Sequence, residues 1–386
     1  MKHVRIGVIG IGNMGTSHAT RLHQGEVKRC ELTAVCDTNP AKMAGFEGKV
    51  KTFESSEELI RSGEVDAVII ATPHYSHTTI GIDALENGLH VLVEKPISVH
   101  KADCERLIAA HANTKQVFSA MFQMRTYPLY KKVKQLIDSG ELGAIHRINW
   151  IITAWFRSEM YYASGGWRAT WKGEGGGVLL NQCPHNLDLF QWYFGMPSRV
   201  HGFCRFGHFH NIEVEDDVTA YLEYEDGKTA ILVATTGETP GTNRLEIAAE
   251  RGRLVVEDDR ISFLRNETPT TEFSQTTQSA FGRPGVWKVE IPTAPQRGAP
   301  HMTIVANFVE AILDGAPLIA PAEDGIHSVE LANAILHATF TGKPAEMPLD
   351  AAAYEKALMK RIEGSTFQKK EPAQDVAPSD FSKSFQ

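Results

Sequence analysis

Two proton-handling groups stand far apart in this chain. Lys95 follows the apolar run Val91-Leu92-Val93 in the sequence Glu94-Lys95-Pro96. His185 lies in Asn181-Gln182-Cys183-Pro184-His185-Asn186-Leu187-Asp188. An imidazole accepts a proton near neutral pH. A lysine ammonium stabilises negative charge growing on an oxygen; partial burial would lower its pKa, and Glu94 would oppose that shift. A base and a cation converging on one hydroxyl suit the oxidation of a secondary alcohol. That reaction needs a C–H aimed at a hydride acceptor, an acceptor for the hydroxyl proton, and a donor or charge for the developing alkoxide. Asn181 and Asp188 flank the histidine at spacings of four and three, so a regular helix would place all three on one face, with Asp188 orienting His185. Pro184 kinks that helix or starts it afresh, which weakens the placement of Asn181 more than that of Asp188. On residue type alone, a core histidine and a surface lysine at a strand end remain open readings.

A hydride acceptor has its own signature at the start of the chain. The apolar run Val4 to Ile9 leads into Gly10-Ile11-Gly12-Asn13-Met14-Gly15, and a helix through Leu22 follows. In a strand–G-x-G-x-x-G–helix unit the first glycine permits the turn, the second lets the backbone approach a pyrophosphate, and the third lets helix and strand pack closely. The helix N-terminus then offers free N–H groups to the phosphates. Asp37 ends the next apolar run, Leu32 to Cys36, 22 residues past Gly15. A carboxylate there meets ribose hydroxyls and favours NAD over NADP, and no arginine follows in Thr38-Asn39-Pro40 to offset it. The run Val65 to Ala71 delivers Thr72, Pro73, His74 and His77 to the same edge, and later strand ends deliver Glu94, Lys95 and Arg125. Ligands of doubly wound sheets lie beyond the carboxyl ends of the strands, so these residues border the cofactor with Gly10, Gly12, Asn13, Met14, Gly15 and Asp37.

The elements that must position these groups fall into two kinds. Residues 1–125 alternate strands and helices and predict a doubly wound α/β domain with a parallel sheet. Residues 126–364 begin with a helix, Leu129 to Ser139, and turn strand-rich: Ile145 to Phe156, Arg199 to Phe206, Val218 to Tyr224, Thr229 to Thr235, Arg244 to Ala249, Arg253 to Val256 and Val286 to Ile291. Short turns such as Glu225-Asp226-Gly227-Lys228 predict an open, largely antiparallel sheet within an α+β domain. Ser164 to Gly195 interrupts it and carries His185. Residues 266–285 read as a long loop, Thr303 to Leu313 and Gly325 to Thr341 as helices, and 365–386 as an extended tail.

Composition narrows the partners. A net charge of −8 gives no general attraction to nucleic acid or anionic membrane. No apolar run approaches the ~20 residues that span a bilayer. Glycines break the first apolar run, which favours strand-turn-helix over a signal peptide. Five cysteines without a CxxC pair fit reduced thiols in the cytoplasm. His201, His208 and His210 match no closed metal-ligand spacing, so no metal is expected.

The motifs together resemble the Gfo/Idh/MocA oxidoreductases, which include glucose–fructose oxidoreductase and inositol dehydrogenases. The likeness runs from about Val4 to Pro348. It rests on G-I-G-N-M-G at 10–15, A-T-P at 71–73, E-K-P at 94–96, W-R at 167–168 and G-G-G-V-L-L-N-Q-C-P-H-N-L-D at 175–188. It implies an N-terminal Rossmann domain, a second domain whose open sheet builds homodimers or homotetramers, catalytic roles for Lys95 and His185, and a cis peptide at Lys95-Pro96. Inositol dehydrogenase-like members carry Asp where this chain has Asn181, so the likeness is closer to a sugar- or glycoside-oxidising subgroup. The expected catalytic residues are Lys95, His185 and Asn181, and the expected substrate residues are Lys95, Trp167, Arg168, Asn181, His185 and Asp188, with the Trp167 ring against a sugar face. The expected activity is NAD-dependent oxidation of a ring hydroxyl of a sugar, glycoside or cyclitol. Two alternatives stand beside it: glycoside cleavage through transient oxidation and elimination, and a non-catalytic dinucleotide-binding regulator.

Overall fold

The computed structural model of the chain describes residues 2–112 and 114–369. Six parallel strands form the first sheet: β1 (Val4–Ile9), β2 (Cys30–Cys36), β3 (Lys51–Phe53), β4 (Ala67–Ile70), β5 (His90–Val93) and β6 (Phe118–Ala120). Their order is β3-β2-β1-β4-β5-β6. Helices α1 (Asn13–His23), α2 (Ser56–Arg61), α3 (His74–Glu86) and α4 (Lys101–Ala112) complete the alternation. β4 is apolar throughout, and β5 is apolar after His90, because both faces of the sheet are covered. Strand order reverses between β1 and β4, which opens the crevice where such sheets bind ligands.

The second sheet is built from β7 (Ile145–Ile152), β8 (Arg199–Phe206), β9 (Glu215–Glu223), β10 (Thr229–Thr235), β11 (Asn243–Ala249), β12 (Gly252–Glu257), β13 (Arg260–Asn266), β14 (Val286–Ile291) and β15 (Ala345–Glu346). Its order is β14-β13-β12-β11-β7-β10-β9-β8-β15, antiparallel except where β7 meets β10. The remaining helices are α5 (Pro128–Asp138), α6 (Glu159–Ala163), α7 (Pro184–Phe194), α8 (Thr270–Thr276), α9 (Pro300–Asp314), α10 (Gly325–Thr341) and α11 (Ala351–Glu363). Strand residues alternate: Val218, Ala220 and Leu222 of β9 are buried, whereas Thr219 and Tyr221 face out. The inner face packs on α7 and α10 around Trp150, Phe190 and Tyr193. The outer face leaves Phe203, Tyr221, Ile231 and Ile151 exposed.

Several boundaries differ from the sequence reading. The first strand of the second sheet stops at Ile152, short of Phe156. β13 and α11 were not expected, and the supposed loop 266–285 contains α8. A cut at residue 125 separates the sheets but not the cores. Helix α9, expected within the second domain, buries Met302, Ile304, Val305, Phe308 and Val309 in the core of the first. Conversely, α4 is clamped to α10, since Lys101 Nζ donates to Glu330 Oε1 (2.8 Å) and to the Leu349 carbonyl (2.7 Å). Of the expected tail, 365–369 lies against the loop that carries Arg168, with Lys369 Nζ donating to the Gly165 and Arg168 carbonyls. Residues 370–386 lie outside the described residues. Among the described residues no helix is long and apolar enough to cross a membrane.

Candidate active site

A cleft of about 930 Å³ runs along the switch point. Gly10, Gly12, Asn13, Met14, Asp37, Thr72, Pro73, His74, His77, Glu94 and Lys95 line it. Gly10 sits at φ +93°, and a Cβ there would come within 2.7 Å of the Ala71 backbone. A Cβ on Gly15 would lie 1.7 Å from the Gly10 carbonyl oxygen, so close helix–strand packing demands glycine. A Cβ on Gly12 would meet nothing within 4 Å, which leaves the approach to the turn open. No side chain caps the N-terminus of α1, so its N–H groups face the cleft uncommitted to a cap. Asp37 is nearly buried, accepting from the Ile11 and Asn39 N–H groups at 2.8 and 2.9 Å. This cradle fits a dinucleotide: N–H groups for phosphates and a fixed carboxylate for a ribose. No arginine stands in Thr38-Asn39-Pro40, but just beyond that stretch Lys42 Nζ reaches both Asp37 oxygens at 3.3 Å.

A smaller pocket of about 120 Å³ adjoins the cleft, sharing Asn13, Met14, Glu94, Lys95, Arg168 and Asn181 with it. His185 and Lys95 both line this pocket, one from each domain. The Lys95-Pro96 peptide is cis. Lys95 Nζ donates to the Asn181 carbonyl at 2.8 Å. Burial pushes its pKa below the usual lysine value, with Glu94 opposing and Arg168 reinforcing. His185 is 2 % exposed. Burial holds it well below the ordinary histidine value, helped by Lys95 and His301, so the ring is neutral at pH 7. Its Nε2 lies 3.1 Å from Gln123 Nε2, and its buried Nδ1 has no hydrogen-bond partner among the described residues. His18 Nε2 is 2.7 Å from Glu94 Oε1. Burial alone would raise the Glu94 carboxyl, but His18, His301 and Lys95 bring it below its ordinary value.

Asn181 does not share a helix with His185. The proline starts α7 at its first turn, and Asn181 precedes it in a tight turn, its N–H donating to the Gly177 carbonyl at 2.9 Å. Beneath that turn the buried Glu215 carboxylate accepts from the Gly177 and Leu179 N–H groups, and burial pushes its pKa up to about 7. The Asn181 side chain receives Tyr161 OH and Gln182 Nε2 on Oδ1, each at 3.1 Å, and donates from Nδ2 to Glu174 Oε1. Arg168 donates to the Tyr161 oxygen at 2.8 Å and stacks 4.7 Å from the centroids of Tyr161 and Trp167. Trp167 in turn meets His74 edge-on at 5.4 Å. His77 sits behind, bridging the Thr72 and Pro96 carbonyls at 2.8 Å each.

Two expected site residues are elsewhere. Arg125, expected at the cofactor, and Asp188, expected beside His185, hold each other in a bidentate pair at 2.6 and 2.8 Å. Neither lines the cleft or the pocket. Asp188 does share the α7 face with His185, but a guanidinium offers its carboxylate two parallel donors. Arg125 also donates to Asp324 at 2.8 Å, so the trio bolts the domains together behind the site. Tyr161, Trp155, Arg157, Gln182, Glu174 and His301 were missed, although all but Glu174 line the pocket. Among the described residues no group of three His, Cys, Asp or Glu side chains could hold a metal ion. His210 instead meets Asp216 and the Arg157 carbonyl, and His201 meets Glu223.

Known proteins give this geometry its family. The pattern described as "Oxidoreductase family, NAD-binding Rossmann fold" matches residues 4–122, and that of the "GFO/IDH/MocA C-terminal domain" matches 130–255. The chain belongs to the Gfo/Idh/MocA family of NAD-binding oxidoreductases. An uncharacterized oxidoreductase of Streptococcus pneumoniae is 25% identical over 381 residues, covering 89% of this chain and 98% of that protein. Inositol 2-dehydrogenase of Salmonella typhimurium is 33% identical over 145 residues, which are 36% of this chain and 43% of that enzyme. The chain thus matches less than half the length of that relative. The WlbA dehydrogenase of Chromobacterium violaceum, solved with NADH and UDP-GlcNAcA, superposes with a TM-score of 0.77 at 25% identity, over 91% of this chain and 97% of that one.

Proposed function

We propose that the protein oxidises a ring secondary hydroxyl of a sugar, sugar derivative or cyclitol, with NAD as hydride acceptor. The observation that carries this reading is the meeting of Lys95 and His185 in one pocket that opens on the dinucleotide cleft at Asn13 and Met14. Bound NAD supplies a nicotinamide carbon that takes the hydride. His185, neutral because it is buried, accepts the hydroxyl proton. Lys95 donates to the same oxygen and stabilises the charge that develops there. Turned so that its otherwise unpartnered Oε1 accepts from the His185 Nε2–H, the Gln123 amide leaves the buried Nδ1 lone pair free to take that proton. Trp167 offers a ring face to a sugar and the Arg168 guanidinium offers donors for its other hydroxyls, while the Asn181 amide is engaged by Glu174, Tyr161 and Gln182. A relative named for inositol and a neighbour solved with UDP-GlcNAcA support a polyhydroxylated ring as substrate.

The exposed face of the nine-stranded sheet, with Phe203, Tyr221 and Ile231, suits pairing of two copies into a homodimer or a larger assembly. Five buried, unpaired cysteines suit a reducing cytoplasm. The test of function is incubation with NAD and a panel of sugars, glycosides and cyclitols. NADH accumulation is the expected result. Release of an aglycone without NADH would replace simple oxidation with transient oxidation and elimination, and NAD binding with neither outcome would remove the catalytic reading.

A further inference from the structure

We propose that Glu174 is a positioning residue that sets both walls of the substrate pocket through its two carboxylate oxygens. It stands in the loop that joins Trp167 and Arg168 to Asn181, and at 2 % exposure water does not compete for its hydrogen bonds. Oε2 accepts the Ala169 N–H at 2.6 Å. Ala169 has φ +55°, in the left-handed region that an alanine enters only when the surroundings hold it there. That bond therefore fixes the turn immediately after Trp167 and Arg168. Oε1 accepts from Asn181 Nδ2. A carboxylate accepts and never donates, so this contact dictates which way the Asn181 amide faces. Nδ2 must point at Glu174, and Oδ1 must point at Tyr161 and Gln182, both of which donate to it. The carbonyl of the same asparagine holds Lys95 Nζ. One buried carboxylate thus reaches the rim on one side and the lysine on the other without touching a reacting atom.

The pattern is directional, and exchange of carboxylate and amide across the Glu174–Asn181 bond tests it. Glu174→Gln alone brings an amide N–H towards either Ala169 N–H or Asn181 Nδ2, a donor facing a donor. Asn181→Asp alone sets two carboxylates against each other. The double variant satisfies every contact: the new amide accepts from Ala169 and donates to the new carboxylate, which still accepts from Tyr161 and Gln182. Each single variant is expected to lose about tenfold or more in kcat/KM and to melt at a lower temperature, with NADH affinity unchanged within about twofold. The double variant is expected to return to within about threefold of wild type and to recover the melting temperature. A double variant no better than the worse single one overturns the proposal. Recovery of melting temperature without turnover also overturns it, reducing Glu174 to a loop anchor. The catalytic readout rests on the dehydrogenase reading. If the wild-type protein oxidises nothing on the panel, that reading fails separately, and the melting cycle decides: coupling between 174 and 181 upholds the pairing, additivity overturns it.

Discussion

Replacing Lys95 by methionine should abolish most turnover without weakening the fold, and the two effects have separate structural sources. In the proposed reaction the ammonium is the donor aimed at the developing alkoxide. Loss of one such donor costs ~10²–10³ in kcat, or about 2.7–4 kcal/mol of barrier. The effect on stability is a difference of opposing terms. The variant loses the bond from Nζ to the Asn181 carbonyl at 2.8 Å, a charge-assisted contact of roughly 1.5–3 kcal/mol. It also removes an ammonium that burial disfavours, as the lowered pKa shows. Burying an ion costs several kcal/mol, so the two contributions come close to cancelling. The pH dependence follows with a definite sign. The folded pKa lies below that of the unfolded chain, so between the two values the unfolded state holds the extra proton, and stability rises with pH through that window. The variant should lack this rise. NADH binding by fluorescence should be unchanged within about threefold, and NADH formation with an active panel substrate should fall ~100-fold or more, while the melting temperature at pH 7 stays within about 3 °C of wild type. A melting temperature lower by ~10 °C would make Lys95 a structural latch, and turnover within ~10-fold of wild type would refute its role at the alkoxide.

Asp37→Ala frees Lys42 and removes the acceptor for ribose hydroxyls and for the Ile11 N–H. NAD affinity should drop ~10–100-fold and the preference for NAD over NADP should vanish, read as a ratio of Kd values; an intact preference would show that Asp37 does not select. Because burial holds His185 well below its ordinary value, kcat/KM should stay flat from pH 8 down past ~6.5 and fall only below that; an acid limb at or above pH 6.5 would point to another base. The same group should make the fold less stable as pH drops below ~6.5, because only the unfolded chain then takes up the proton. Asp188→Asn breaks a buried bidentate pair and should lower the melting temperature by roughly 10 °C, while kcat at low temperature stays within about threefold; a selective loss of kcat would restore Asp188 as the group that orients His185.

What was legible in the chain was local. Gly10, Gly12 and Gly15 announce a turn whose steric demands act over a handful of residues, and Asp37 follows at the distance one strand and one helix require. Lys95 could be placed because a strand end is visible as an apolar run that stops. The Arg125–Asp188 pair was not legible: Asp188 shares a helix face with His185 and Arg125 follows a strand end, and only the fold decides that they face each other instead of a ligand. Tyr161 lies on a five-residue helix too short to show a period. Glu174 looks like any charged residue in a glycine-rich loop, and its burial is a property of the loop's path. Helix α9 shows an apolar face, but such a face does not say which core it enters. α11 buries only Tyr354 and Leu358, too sparse a stripe to stand out.

The allegiance of α9 has a consequence for how the chain is made. Synthesis proceeds from the N-terminus, so the first sheet leaves the ribosome long before the helix that closes its core. About 190 residues separate position 125 from the end of α9 at Asp314, and at ~5–20 residues per second the interval is on the order of 10–40 s. Through that time the surface that will receive Met302, Val305 and Phe308 is bare. His301, which lines the pocket beside Lys95 and His185, arrives with the same helix. The nascent nucleotide domain is therefore an unfinished body through that interval, open to chaperones or to its neighbours on a polysome, and the pocket gains its wall at His301 only when α9 has emerged.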